Sequence, residues 1–117
     1  MDERRARGYM GLSVRAGKAV FGEEGCLKSV RGRTCACLLV DISASANTLD
    51  RYRSACAHAG IPLFLLPEDL IFQATGRPGK AMALRPGGLA DQLIGLLSQA
   101  EKEDQIGGAS DTWRTSN

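Results

Sequence analysis

The stretch Arg15–Arg33, R-A-G-K-A-V-F-G-E-E-G-C-L-K-S-V-R-G-R, sets a short apolar strand between two glycine turns and follows it with a helix. Ala19–Phe21 is the strand and Glu23–Arg31 the helix, which Gly32 closes. At about 100° per residue, Glu24, Lys28 and Arg31 share one narrow sector at i, i+4 and i+7. Cys26, Leu27 and Val30 point elsewhere and are free to pack. A helix opening after a glycine offers unpaired backbone N–H groups and a positive dipole end, both suited to phosphate oxygens. Lys28 and Arg31 add charge for more of a nucleic-acid backbone, and Glu24 brings acceptor oxygens for a base edge. Taken alone, the same residues also describe a solvated helix face with an i,i+4 Glu–Lys pair, worth only about 0.2–0.5 kcal/mol.

Outward from this stretch, strands and helices keep alternating. Glu3–Ala16 reads as a helix with Ala6, Met10 and Val14 on one stripe and Leu12 adjoining. Ala36–Asp41 (A-C-L-L-V-D) is a continuous apolar run ending in an acid, the pattern of a strand covered on both faces. Thr48–Ala59 follows as a helix, with Asn47 as its expected N-cap, Asp50 in the first turn, and Leu49, Tyr52 and Cys56 in one stripe. Gly60 and Pro62 stop it. Leu63–Leu66 is a further buried strand, Pro67-Glu68-Asp69 is expected to open a short helix running to Thr75, and Ala81–Leu84 is the last strand. From Gly88 a final helix carries Leu89, Leu93, Leu96 and Leu97 on one side. Residues 106–117 turn to Gly, Ser, Asp and Thr without periodicity and are expected to form a disordered tail, with Trp113 exposed in it. The expectation is an α/β fold in which helices cover both faces of a small four-stranded central sheet, formed by residues 1–105 as a single domain.

Composition narrows the function. Hydrophobic residues make up 44% and charged residues 24%, as in ordinary globular domains. No apolar run approaches the ~20 residues of a membrane span, and the charged start does not read as a signal peptide, so no membrane partner and a cytoplasmic location are expected. The net charge of +2 is unevenly placed. Residues 1–33 carry eight Lys/Arg against four Asp/Glu, residues 34–97 five against five, and residues 98–117 two against four. The basic third coincides with the Arg15–Arg33 stretch and favours a polyanionic partner.

Cys35 and Cys37 form C-x-C at the start of an apolar run, so strand alternation is expected to put both on one side. Cys26 and Cys56 fall on apolar helix faces, and His58, the single histidine, lies about 180° around its helix from Leu49. Buried reduced thiols and a solvated His58 fit this better than a zinc site, which takes C-x(2–4)-C pairs or added histidines. A thiol redox or metal function through Cys35 and Cys37 is the weaker reading.

Enzymatic chemistry finds little support. Gly11-Leu-Ser-Val-Arg-Ala-Gly17-Lys18-Ala19 imitates a phosphate-binding loop, yet has five intervening residues rather than four. Ala19 also stands where a hydroxyl must meet magnesium, and a helix precedes the segment. The acids Asp41, Asp50, Glu68, Asp69 and Asp91 sit at strand ends or helix starts, and Ser43 and Ser45 are better explained as caps. No cofactor, metal or small-molecule substrate is indicated.

The order of motifs along the chain is more specific than any one of them. It runs G-L-x-x-R-A-G-K-x-x-x-G-E-E-x-x-L-K-x-V-R (Gly11–Arg31), C-L-L-V-D-I-S-A-S-A-N-T (Cys37–Thr48), G-I-P-L (Gly60–Leu63) and A-T-G-R-P (Ala74–Pro78). Over roughly residues 8–100 this resembles the ribosomal L seven-Ae / L thirty-e family, and most nearly its small bacterial YlxQ-type branch. The resemblance implies a three-layer α/β/α sandwich with a mixed sheet, and a non-enzymatic protein that binds structured RNA. Members typically bind kink-turns, sharply bent internal loops with sheared G·A pairs, and the link is to ribosomal RNA, the ribosome and translation.

Position by position, the family's RNA-binding turn and helix start fall on Gly22, Glu23, Glu24, Gly25 and Lys28. Gly22 would let the backbone approach RNA and Lys28 would contact phosphate. Glu24 stands where many members have Asn, keeping an acceptor but losing amide donors, and Gly25 where many have Glu. The family's second contact falls on Gly76-Arg77-Pro78-Gly79-Lys80, with Arg77, Pro78 and Lys80 placed to grip backbone. Arg15, Lys18 and Arg31 would add phosphate contacts. Phe72 replaces a usual Gly in L-G-x-A and is expected to face the core. The competing reading is a protein-interaction or scaffold domain of the same fold with weakened RNA affinity, motivated by Glu24, Gly25 and the charged loop.

Overall fold

The computed structural model describes residues 2–106. Residues 107–117, with Trp113 and all but the first residue of the expected tail, lie outside the described residues. The elements run α1 (Glu3–Arg15), β1 (Ala19–Phe21), α2 (Glu23–Arg31), β2 (Cys37–Asp41), α3 (Ala46–Ala59), β3 (Leu63–Leu66), α4 (Leu70–Thr75), β4 (Ala81–Leu84) and α5 (Gly88–Ile106).

The sheet is mixed, in the order β1-β4-β2-β3. β1 pairs antiparallel with β4, β4 antiparallel with β2, and β2 parallel with β3. Strand alternation sorts the central strands onto two cores. Cys37 and Leu39 of β2, with Met82 and Leu84 of β4, meet Ala6 and Met10 of α1, Leu70 and Ile71 of α4, and Leu93 and Leu97 of α5. Leu38 and Val40, with Ala81 and Ala83, meet Cys26, Leu27 and Val30 of α2 and Tyr52 and Cys56 of α3. The result is a three-layer α/β/α sandwich. The apolar run of β2 reads as unbroken because both of its faces are covered.

Several local expectations are corrected. Cys35 and Cys37 lie in opposite cores. Alternation does not carry across both because β2 begins only at Cys37, and Cys35 stands in the approach to the strand. The N-cap of α3 is Ser45, not Asn47: the Ser45 hydroxyl accepts from the Thr48 N–H at 3.2 Å, the helix starts at Ala46, and Asp50 falls beyond its first turn. Pro67–Asp69 form a turn ahead of α4 rather than its first turn, with Asp69 at φ 67°. On α1, Leu12 is 44% exposed, and the third buried position belongs to Ser13, whose hydroxyl donates to the Tyr9 carbonyl at 2.8 Å. Phe72 does not face the core; it is 55% exposed. Leu70 and Ile71 fill the buried side of the short helix α4, which leaves Phe72 on its outer side.

Candidate nucleic-acid interface

The antiparallel pairing of β1 with β4 decides which residues meet. Phe21 stands opposite Met82, so the loop entering β4 passes the end of β1 where Gly22 starts α2. Gly22 has φ 86° and ψ 148°, a conformation that L side chains rarely adopt. It caps α2 with no side-chain hydrogen bond, so the first-turn N–H groups are left for an outside acceptor. Gly25 is a packing residue here, since a Cβ would lie 3.1 Å from Val20 Cγ1. α2 thereby sits close on the edge strand.

Glu24, Lys28 and Arg31 are exposed and line one shallow depression with Glu23 and Leu27, while Cys26, Leu27 and Val30 are buried, as the 100° spacing requires. Glu23 forms an ion pair with Arg51 of α3. That pairing offsets one of the two carboxylates at the head of α2, which would otherwise repel phosphate.

The Gly76–Lys80 loop is shaped by its own hydrogen bonds. Gly76 leaves α4 in the left-handed region at φ 70°, its N–H donating to the Phe72 carbonyl at 2.8 Å. The Arg77 N–H donates to Thr75 Oγ1 at 3.1 Å. The Arg77 guanidinium lies over the Phe21 ring, 5.0 Å from its centroid, so the loop is held against the residue preceding Gly22. At the other end of the loop, Lys80 Nζ donates to Ser43 Oγ at 2.8 Å. Ser43 Oγ in turn donates to Asp41 Oδ1 at 2.6 Å, and the Asp69 N–H donates to Asp41 Oδ2 at 3.0 Å. Burial raises the Asp41 pKa, but the Ser43 hydroxyl and N–H, the Asp69 N–H and Lys80 outweigh it, leaving it below the usual 3.8. Asp41 thus ties together three loops at one end of the sheet.

Of the residues singled out in the sequence, Gly22, Glu23, Glu24, Lys28, Arg31, Arg77, Pro78 and Lys80 fall along this end of the sheet and the α2 face leading from it. Arg15 and Lys18 do not join them. The Lys18 carbonyl accepts from the Arg85 N–H at 2.8 Å, at the opposite end of β1. Lys18 and Gly22 are separated by roughly 13 Å of extended chain. Sequence reasoning missed Phe21 as the seat of Arg77 and Arg51 as the partner of Glu23, since both contacts depend on elements distant along the chain. Asp41 and Ser43 stood out as strand-end polar residues, but nothing in their spacing pointed to Lys80.

The thiols are not part of this edge. Cys26, Cys35, Cys37 and Cys56 are all buried and free. Burial pushes the pKa of Cys26 to about 11 and those of Cys37 and Cys56 to about 12. Among the described residues no three His, Cys, Asp or Glu side chains group as metal ligands would, and no helix is long and apolar enough to cross a membrane.

This α/β/α sandwich, with a glycine-capped helix and a basic loop at one end of its sheet, has the architecture of the L seven-Ae-like proteins. The chain belongs to the YlxQ-type branch of that family: it is 30% identical over 97 residues to a protein named RNA-binding protein YlxQ from Enterococcus faecium, covering 82% of this chain and 94% of the relative. No protein-family model matches it. Its fold is similar to that of a Bacillus halodurans protein of unknown function, with TM-score 0.74 and 20% identity over 80% of this chain and 96% of that one. It is also similar in fold to the Giardia lamblia 15.5 kD RNA-binding protein, with TM-score 0.68 and 11% identity over 85% and 90% of the two chains.

Proposed function

We propose that this chain is a non-enzymatic RNA-binding protein that recognises kink-turn-like RNA and serves the ribosome or translation in the cytoplasm. The observation that carries the reading is the seating of Arg77 on Phe21, which sets the basic loop beside the Gly22 turn. Two segments more than fifty residues apart thereby offer a single surface. The open N–H groups of α2, Lys28 and Arg31 meet phosphates on one side, and Arg77, Pro78 and Lys80 meet the backbone on the other. Lys80 keeps two further N–H donors beyond the one given to Ser43. Bent RNA presents two backbone segments to such a surface, whereas a straight duplex presents one path, so recognition is by shape more than by sequence. The relative's name, RNA-binding protein, supports the RNA-binding class.

The test is binding to a standard kink-turn and to a matched plain duplex at several salt concentrations. Stronger binding to the kink-turn is expected, with Lys28→Ala weakening it and flattening the salt dependence. Equal affinity for both RNAs, or none at low salt, sinks the shape-specific reading. A second reading, a protein-interaction domain with reduced RNA affinity, is favoured by the exposed ring of Phe72 near the loop. Co-purifying nucleic acid, read as a high 260/280 nm absorbance ratio, separates the two.

A further inference from the structure

We infer that the seam between α2 and α3 is a second phosphate-binding site, which takes the backbone of an RNA stem continuing beyond the Gly22 edge. The inference rests on the RNA-binding reading above.

The seam holds a depression lined by Arg31, Arg33, Arg51, Ser54 and His58. Arg31 also lines the depression beside Glu24 and Lys28, so the two share one cationic wall, and a strand crossing Arg31 would pass from the first to the second. No carboxylate lines the seam site among the described residues. Glu23, on α2, offsets Arg51 through their ion pair, and the guanidinium charges of Arg31 and Arg33 remain in the lining.

Arg33 is a placed side chain. Its backbone has φ 55°, a conformation costing a non-glycine residue on the order of 1 kcal/mol. Its Nε–H donates to the Ala59 carbonyl at the end of α3, 3.1 Å away. That bond anchors the guanidinium across the seam and leaves the N–H donors of both terminal nitrogens for another acceptor. Arg51 is likewise held by Glu23. Anchored guanidinium groups lose little further freedom on binding, and their fork suits the paired oxygens of a phosphate. His58, exposed in the last turn of α3, and the Ser54 hydroxyl supply further hydrogen-bond donors beside them. Lys28, Arg31 and Arg33 follow one another at short intervals, the arrangement a phosphate backbone meets as repeated contacts along its path.

The test compares one kink-turn carried on short stems with the same kink-turn after each stem is lengthened in turn. Each RNA is titrated across a salt series against the wild-type chain, Arg33→Gly/His58→Ala and Lys28→Ala. Glycine suits φ 55°, so the double variant keeps its fold, which a thermal melt confirms. Lengthening one stem is expected to raise wild-type affinity and steepen the salt dependence. The double variant should bind the short-stem RNA as the wild type does and lose the gain from the long stem, with a log–log salt slope flatter by about 0.9 for each phosphate contact removed. Lys28→Ala should weaken both RNAs. If Lys28→Ala weakens binding but no longer stem helps the wild type, the seam site is overturned and the RNA-binding reading stands. If neither RNA binds, both fall. If polyaspartate cancels the long-stem gain as readily as RNA of equal charge does, the seam is an unselective cationic patch and the proposal is overturned.

Discussion

The Arg77 guanidinium rests over the Phe21 ring at 5.0 Å, joining the basic loop before β4 to the last residue of β1. At an exposed site such a pairing is worth about 0.5–1 kcal/mol. Phe21 is half-buried and packs against the core beneath it, so the ring is a fixed platform and Arg77 the part that settles on it. Phe21→Leu keeps the apolar contact and removes the π face. It should lower kink-turn affinity roughly two- to fivefold. Titration calorimetry checks the affinity; a change in affinity for plain duplex of the same size would show that the loop is not being held for the bent RNA.

Gly22 is needed for its backbone rather than for space. A Cβ there meets nothing within 4 Å, yet φ is 86°. Gly22→Ala is therefore expected to cost about 1–3 kcal/mol through strain alone. Urea unfolding should show the midpoint falling with an unchanged slope. A variant as stable as the wild type would mean the turn relaxes to another conformation, and its RNA affinity should then drop.

How much of this was legible in the chain depends on how local the cause was. The apolar run ending at Asp41 announced a doubly covered strand, because burial on both faces removes alternation altogether. The Glu24/Lys28/Arg31 face followed from helical spacing alone. Cys35 misled because alternation holds only inside a strand, and β2 starts at Cys37. Phe72 misled because a helix of six residues buries only Leu70 and Ile71, and an aromatic residue beside them can point either way. The pairing of Glu23 with Arg51 and the seating of Arg77 on Phe21 arise from packing and strand register between distant segments, which no local pattern encodes.

Asp41 makes stability depend on pH. Its folded pKa is depressed, so the stabilisation is complete above the unfolded value of 3.8 and is lost as pH falls through the lower folded value. Asp41→Asn should destabilise the protein at neutral pH and flatten the acid limb of its stability curve. Denaturant midpoints measured from pH 7 downward test this. An unchanged acid limb would assign the acid loss to other carboxylates.

The buried thiols should be unreactive in the native state. With Cys26 at about 11 and Cys37 and Cys56 at about 12, almost no thiolate exists at pH 8. Cys35, likewise raised by burial, is 3% exposed. Native protein treated with a thiol-specific chromogenic reagent at pH 8 should release colour only slowly, and denatured protein should release four equivalents at once. Rapid native labelling of Cys35 or Cys37 would revive a redox role for that pair.

Glu24 separates two physical roles that predict opposite signs. As a carboxylate in the first turn of α2 it favours the helix dipole by about 0.3–1 kcal/mol, and in that role alone its removal should relieve repulsion and strengthen binding to every RNA. As an acceptor from a base edge it is worth about 1–3 kcal/mol of discrimination, and its removal should cost affinity for the kink-turn while sparing the plain duplex. Its exposure beside Lys28, in the depression that leads from the Gly22 turn, favours the second role. Glu24→Ala should therefore reduce the kink-turn-to-duplex affinity ratio by about tenfold, with a small loss of thermal stability. Both RNAs must be measured at the same salt, because relief of repulsion alone would raise both affinities together and leave the ratio where it was.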